Sequence, residues 1–381
     1  LTVLNFKPHE GSVYLLKVGT VMGSSKERIL SAINLEEPDT IPLFDFLYEH
    51  KSFENVLGTT FEKITPEVIV KGHKALGLDM MCLGSDPPEG WKDHYIAPNI
   101  KVDEWGIKWK ITPDMRTLPW YLEGPIKTEE DFNRYVMPDP EAPGRLNTIK
   151  EVQKLVKDEM AISATFPIGG PFTVAFLLTG GANFLKFLVL KPSFTNRLLE
   201  MACNFCIKLG ERFLEEGVDI IFLNDDLGDI HGPFLAPKLF KERVLPYLEK
   251  VVKTLKRKGA YVLLHCDGNI NLILEDLVNM GINGYHPMER KAGMNIKEIK
   301  EKYGNKICLI GNVDASTLLP FGSLEEIKAQ VEECIKIAAP GGGYIFASDH
   351  SIHPGIPGFK AKFLFKAAKE VARKLSFEGK I

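Results

Sequence analysis

Eight short apolar runs, each stopping at or beside a polar tip in all but one case, recur along this chain. They are Ile41–Phe46, Asp79–Gly84, Ala161–Phe166, Asp219–Asp226, Tyr261–Asp267, Ile282–Glu289, Ile307–Asp314 and Gly343–His350. Runs this short and this apolar, bounded by turn residues, read as strands buried on both faces. Amphipathic helical patterns lie between them. Pro237–Lys258 reads as one helix, with Leu239, Phe240, Val244, Leu248, Val251, Val252 and Leu255 on a single stripe. Its basic end and the Gly259 that follows suit a helix C-terminus. Ser323 and Glu326 form a capping box ahead of Ile327, Val331 and Ile335. Ser193 and Thr195 open another helix, through Leu198, Leu199, Cys203 and Phe213. Strand–helix alternation of this kind predicts an α/β chain folded as a (β/α)8 TIM barrel. A doubly wound open sheet is the alternative, but no glycine-rich phosphate loop follows the first run.

Within that frame, residues 1–24 read as an N-terminal extension and residues 25–381 as the barrel domain. Residues 87–150 form a long insertion after the second strand. Its prolines and Trp91, Trp105, Trp109 and Trp120 mark a β-rich lid or rim. The chain has 381 residues, 45% hydrophobic and 25% charged, with a net charge of −3. That balance points away from nucleic acid and from anionic membranes. No apolar run reaches the roughly 20 residues that span a bilayer. Residues 1–21 lack the basic start and small-residue cleavage site of a signal peptide. Six scattered cysteines do not make a disulfide scaffold, so a reducing cytoplasm is the expected location.

The strand tips carry the chemistry. C-terminal strand ends of a barrel converge on one face, where active sites are found. His265, Asp267, Glu289 and His350 come from three tips and together make a ligand set for zinc or a similar divalent ion. The competing reading has His265 hydrogen-bonded and Asp267 forming the turn with Gly268. His265 and Asp267 are two apart, so they point the same way on an extended strand, and Cys266 points into the barrel wall. His353 is read as loop packing rather than as a replacement for His350. Asp226, Asp45 and His265 are the catalytic candidates. Asp225 and Asp226 should face opposite ways, one toward the pocket and one toward a helix cap or a base. Phe46, Phe166, Phe172, Asp225 and His231 are candidates for contact with substrate. Asp314 reads as a cap, Cys203 and Cys206 as helix core, and Gly341–Gly343 as a turn. No G-x-S-x-G motif is present.

Several segments resemble the uroporphyrinogen decarboxylase superfamily: SSKERILSAINLEEPDTIP, DDLGDIHGPFLAPKLFKERVLPYLEKVV, HCDGNINLILEDLVNMGINGYHPME, YGNKICLIGNVDASTLLPFGS and APGGGYIFASDHSI. The resemblance runs from about Ser25 onward and implies the same barrel. The superfamily's decarboxylases use an arginine-rich segment after the first strand, where this chain reads IPLFDFLYEHKSF. Its other branch, the corrinoid-linked methyltransferases, binds zinc through a His-x-Cys pair, a glutamate and a late cysteine. Matched onto this chain, those positions are His265 and Asp267, Glu289, and His350. Exchange of thiolates for imidazole and carboxylate leaves a bound ion a stronger Lewis acid. The resemblance implies metal-assisted methyl transfer between a small substrate and a corrinoid protein, and the exchange of ligands points to an O-methyl or related donor. The chain has no Asp-x-His-x-x-Gly segment, so the corrinoid is expected on a partner. A homodimer is the candidate assembly. Two other functions stand beside this one: a uroporphyrinogen decarboxylase-type lyase of tetrapyrrole metabolism, and a non-catalytic barrel that binds a tetrapyrrole or corrinoid.

Overall fold

Backbone pairing in the computed structural model, which describes residues 23–111, 119–157 and 159–377, runs through seven parallel strands. Their order in space is their order in the chain: Met80–Gly84, Ala161–Thr165, Ile220–Asn224, Tyr261–His265, Gly284–His286, Cys308–Val313 and Tyr344–Ser348. Residues 41–46 complete the ring between the last strand and the first. Leu43 bridges to Phe346 in parallel. The Phe44 N–H donates to the Phe346 carbonyl at 2.9 Å, and the Phe346 N–H to the Pro42 carbonyl at 2.9 Å. On the other side the Asp79 N–H reaches the Leu43 carbonyl at 2.8 Å. The Leu43 N–H is met by the Asp79 carboxylate at 2.9 Å instead of by backbone. Pro42 has no N–H to give, so this segment pairs less regularly than its neighbours. The expected (β/α)8 barrel is thus present, with its first member reduced to a short, side-chain-assisted stave. The expected extension over residues 1–24 lies almost entirely outside the described residues.

Side chains alternate between two buried layers. Phe44, Phe46, Met80, Ala161, Ile220, Phe222, Leu263, Cys308, Ile310, Ile345 and Ala347 fill the barrel interior. Leu43, Met81, Ala164, Ile221, Leu223, Val262, Leu264, Leu309 and Phe346 face the surrounding helices. Helix Ser25–Ile33 opens with a capping box, Ser24 with Glu27. It sends Ile29, Ala32 and Ile33 into the interior cluster. Its Ser25 hydroxyl donates to Asp79 at the start of a strand, so this helix closes the N-terminal end of the barrel. The opposite end stays free for the strand tips.

The capping box at Ser323 and Glu326 opens helix Leu324–Ala338 as expected. The stripe over Pro237–Lys258 does not form one helix. It divides into Pro237–Arg243 and Leu245–Arg257, with Val244 at φ −117° and ψ −51°. Pro246 explains the break, since it lacks an N–H for the carbonyl one turn back and its ring crowds that carbonyl. The insertion carries a four-stranded antiparallel sheet, His94–Ala97, Ile100–Val102, Lys108–Lys110 and Trp120–Glu123. Tyr121 ties it to helix Pro171–Thr179 through the Leu177 carbonyl at 2.9 Å. Trp105 is buried against Phe205, whereas Trp91 and Trp120 face solvent. Among the described residues no single helix is long and apolar enough to cross a membrane.

Arg145 anchors the insertion from a fully buried position. Its guanidinium donates to both Glu104 oxygens at 2.6 Å, to the Asp139 carbonyl at 3.0 Å and to the Asp86 carbonyl at 3.2 Å. Removing one partner of such a pair strands the other without solvent. Arg145→Met is therefore expected to destabilise the protein by about 3–5 kcal/mol, read as a lower urea midpoint.

Candidate active site

The two-residue period of the strands selects what reaches the mouth. Along Tyr261–His265, Leu263 is interior and Val262 and Leu264 are outer, so His265 turns inward and Cys266 outward. Cys266 is fully buried and its sulfur accepts the Leu227 N–H at 3.3 Å. Gly268 has φ +80°, and a Cβ there would meet the Asp229 carbonyl oxygen at 2.8 Å. A glycine is what lets the chain turn so tightly after Asp267. On the neighbouring strand Ile220 and Phe222 are interior, Ile221 and Leu223 outer. The same count sends Asp225 outward and Asp226 inward.

Asp226, His265 and Asp267 meet, with one ligand atom from each lying within 4.8 Å of the others. His265 Nε2 is 3.7 Å from Asp267 Oδ2, and His350 Nε2 is 3.3 Å from the same oxygen. The Asp267 N–H donates to Asp226 Oδ1 at 3.1 Å. Asp267 Oδ1 is buried and has no hydrogen-bond partner. An unsatisfied buried carboxylate oxygen is costly, and a cation among these groups would satisfy it. The nitrogen and carboxylate donors also suit zinc or a similar divalent ion. The residues therefore fit a metal ion.

Several expected site residues are placed elsewhere, each for a visible reason. Glu289 is not part of the cluster; its carboxylate accepts the Gly268 N–H at 3.0 Å and braces the turn after Asp267. Asp225 is fully buried and caps helix Pro171–Thr179, accepting from the Phe172 and Thr173 N–H groups at 3.0 and 2.6 Å and from the Thr173 hydroxyl at 2.6 Å. It is unavailable to substrate. Asp45 also faces outward and accepts from the Ser348 N–H at 2.9 Å and hydroxyl at 3.0 Å. Phe166 packs on Phe213, and Phe172 among Phe176, Phe184 and Phe234, so both belong to the outer core rather than to a pocket wall. His231 is exposed in its loop, clear of the cluster's contacts. Phe46 is brought close, its ring edge-on to His265 at 5.3 Å. His353 hydrogen-bonds the Ala315 carbonyl at 2.9 Å, and Asp314 caps the turn at Ser316 and Thr317.

Charge is unevenly shared in the cluster. Burial pushes the Asp267 carboxyl up, but His265 and His350 overcome it and hold Asp267 well below the ordinary range. Burial and then the Asp267 charge push Asp226 up. Burial pulls His350 down, yet its hydrogen bond and charge contact with Asp267 raise it to about 9. His265 is raised for the same reason against the same burial. Among the described residues no lysine or arginine pairs with Asp226, Asp267 or Glu289. Arg290, next in the chain, turns instead to the Asn312 carbonyl and Glu333.

Sequence reasoning missed His286. It is fully buried inside the barrel, and its Nδ1 lies 2.8 Å from His265 Nδ1. Burial, then His265, holds its pKa well below the usual imidazole range. The available signal was its place in an apolar run, inward by the period that selects His265 on the adjacent strand.

Residues 101–371 match the family profile of uroporphyrinogen decarboxylase (URO-D). The chain belongs to the uroporphyrinogen decarboxylase family. Its relatives divide between two chemistries. A uroporphyrinogen decarboxylase from Trichodesmium erythraeum (strain IMS101) is 25% identical over 265 residues, 67% of this chain and 71% of its own length. The methylcobamide:CoM methyltransferase MtaA of Methanosarcina barkeri (strain Fusaro / DSM 804) is 28% identical over 229 residues, 59% of this chain and 64% of its own. A methyltransferase from Methanosarcina mazei superposes with a TM-score of 0.69 at 24% identity, covering 91% of this chain and 98% of its own. That structural match establishes the shared fold. Members of the family named here are enzymes of both kinds.

Asp45 allows a pH test within this family barrel. Burial pushes its carboxyl from 3.8 to about 7, against its bonds from Ser348. A raised acid pKa stabilises the fold below the unfolded value, and that stability is lost as pH rises through the folded value. Wild-type stability should fall between about pH 4 and pH 7 on this account. Asp45→Asn, which cannot ionise, should flatten that slope in denaturation curves taken across the range.

Proposed function

We propose that this protein transfers a methyl group between a small O-methylated substrate and a corrinoid carried by a partner protein, with a divalent cation held by Asp226, His265 and Asp267. The observation that carries the reading is the meeting of those three donors, together with a second oxygen of Asp267 that is buried and has no hydrogen-bond partner among the described residues. The acidic mouth supports it too. A tetrapyrrole bearing many carboxylates needs cationic partners, and the ion pairs of Asp267 are with imidazoles alone. Similarity to a protein named methylcobamide:CoM methyltransferase is a further support.

When bound, the cation supplies Lewis acidity toward the substrate oxygen. His265 and Asp267 orient each other, and Asp226 completes the donor set. Methyl transfer to a Co(I) corrinoid breaks the methyl–oxygen bond, leaves both electrons on oxygen and requires one proton there. His350 is placed to give that proton. Its hydrogen bond and charge contact with Asp267 raise it to about 9, which favours the protonated ring. The Ser351 hydroxyl, 2.8 Å from His350 Nδ1, holds the ring with Nε2 toward Asp267.

Purified wild type should hold a stoichiometric divalent cation by mass spectrometry, and Asp267→Ala should lose it. With a Co(I) corrinoid protein and an aryl methyl ether, His350→Asn should keep the cation but lower methyl transfer by about 10²- to 10⁴-fold. A metal-free wild type that turns over a porphyrinogen with release of carbon dioxide would replace this reading with decarboxylation.

A further inference from the structure

Among the described residues His286 has one hydrogen-bond partner, in a setting that otherwise suits a hydrocarbon. Its ring lies edge-on to Phe44 at 5.9 Å, Phe46 at 5.1 Å and Phe222 at 6.2 Å. Its Nε2 is buried without a hydrogen-bond partner. Leaving such a group unsatisfied is costly, and a phenylalanine would fill the space without that cost. The single polar contact is between Nδ1 of His286 and Nδ1 of His265, at 2.8 Å. Two imidazole nitrogens this close need one proton between them, so one ring donates and the other accepts.

An imidazole that binds a cation offers a lone pair on one nitrogen and donates N–H from the other to a supporting group. Nδ1 of His265 faces His286, and its Nε2 faces Asp267 Oδ2 at 3.7 Å. For Nε2 to hold a cation, the shared proton must sit on His265 Nδ1, and His286 must accept it. Phe46 lies edge-on to both rings, at 5.3 and 5.1 Å, so neither turns without moving it. We propose that His286 is a positioning residue, whose Nδ1 accepts the Nδ1 proton of His265 and so points the His265 Nε2 lone pair at Asp226 and Asp267. This rests on the cation reading given above. A neutral imidazole accepts without bringing a further negative charge to Asp226 and Asp267, as a supporting carboxylate would.

Cobalt(II) alone, added to the purified full chain, reads the site by visible absorption and calorimetry. His286→Phe keeps the aromatic packing but has no acceptor, and affinity should fall about ten- to hundred-fold. His286→Asn puts an amide oxygen near the lost Nδ1 and should stay close to wild type. His286→Gln puts its amide near the Nε2 position and should behave like His286→Phe, which keeps the test open if the phenylalanine variant does not fold. Wild-type affinity in His286→Phe or His286→Gln, with matching melting curves, overturns the inference. If wild type itself binds no cobalt(II), the cation reading fails, and imidazole NMR on nitrogen-labelled protein decides the positioning role separately. A slowly exchanging proton on His265 Nδ1, present in wild type and His286→Asn but absent in His286→Phe, supports it. Absence of that proton in wild type, or its persistence in His286→Phe, overturns it.

Discussion

Parallel backbone pairing closes a ring through residues 41–46, and the site depends on that closure. Each strand contributes alternate side chains to the inside and outside of the ring. A shift of one residue in any strand would exchange the two sets. His265 reaches Asp226 on one side and His286 on the other because three neighbouring strands hold matching registers, with Leu263 opposite Phe222 and Gly284. The closing stave is the least regular member, and Asp79 supports it with a side-chain bond where a ladder bond is missing.

Inside that ring, polar groups are gathered against their own preference for water. Asp226 and Asp267 share a small space; the two imidazoles hold Asp267 well below the ordinary carboxylate range, while burial and then the Asp267 charge push Asp226 up. Asp267 Oδ1 and His286 Nε2 remain unpartnered. Buried polar atoms are satisfied in most folded proteins, and exceptions concentrate where a ligand or strain is part of the function. The outward-facing acids behave otherwise. Asp225 and Asp45 are equally buried, yet each accepts at least two hydrogen bonds from a neighbouring element. The contrast separates acids satisfied within the scaffold from an acid with a buried oxygen left unpartnered among the described residues.

Much of this was readable in the chain. Eight apolar runs gave the barrel, and their tips marked the working end. The spacing of His265 and Asp267 gave their common direction, and it sent Cys266 to the wall. The capping box at Ser323, the cap at Asp314 and the loop role of His353 follow local rules that tertiary packing left alone. Local rules also misled. The stripe of Pro237–Lys258 outweighed Pro246, whose missing N–H breaks the helix. Phe166 ends one run and Phe172 follows it closely, but adjacency in sequence says nothing about which layer a ring enters.

The sequence by itself determined the strand count, the end of the barrel where the polar tips gather, and the side chains sharing a direction within one strand. Those properties come from apolar runs and a period of two, both local. Tertiary structure alone decided the membership of the cluster. It chose Asp226 over Glu289, set His350 on Asp267 from the rim, and brought His286 against His265. Such choices depend on the relative height and rotation of different strands, and on turns such as the one at Gly268. Residues twenty or forty positions apart are brought within 3 Å or so by hydrogen bonding between the ends of neighbouring strands, and no pattern along a single strand records that distance.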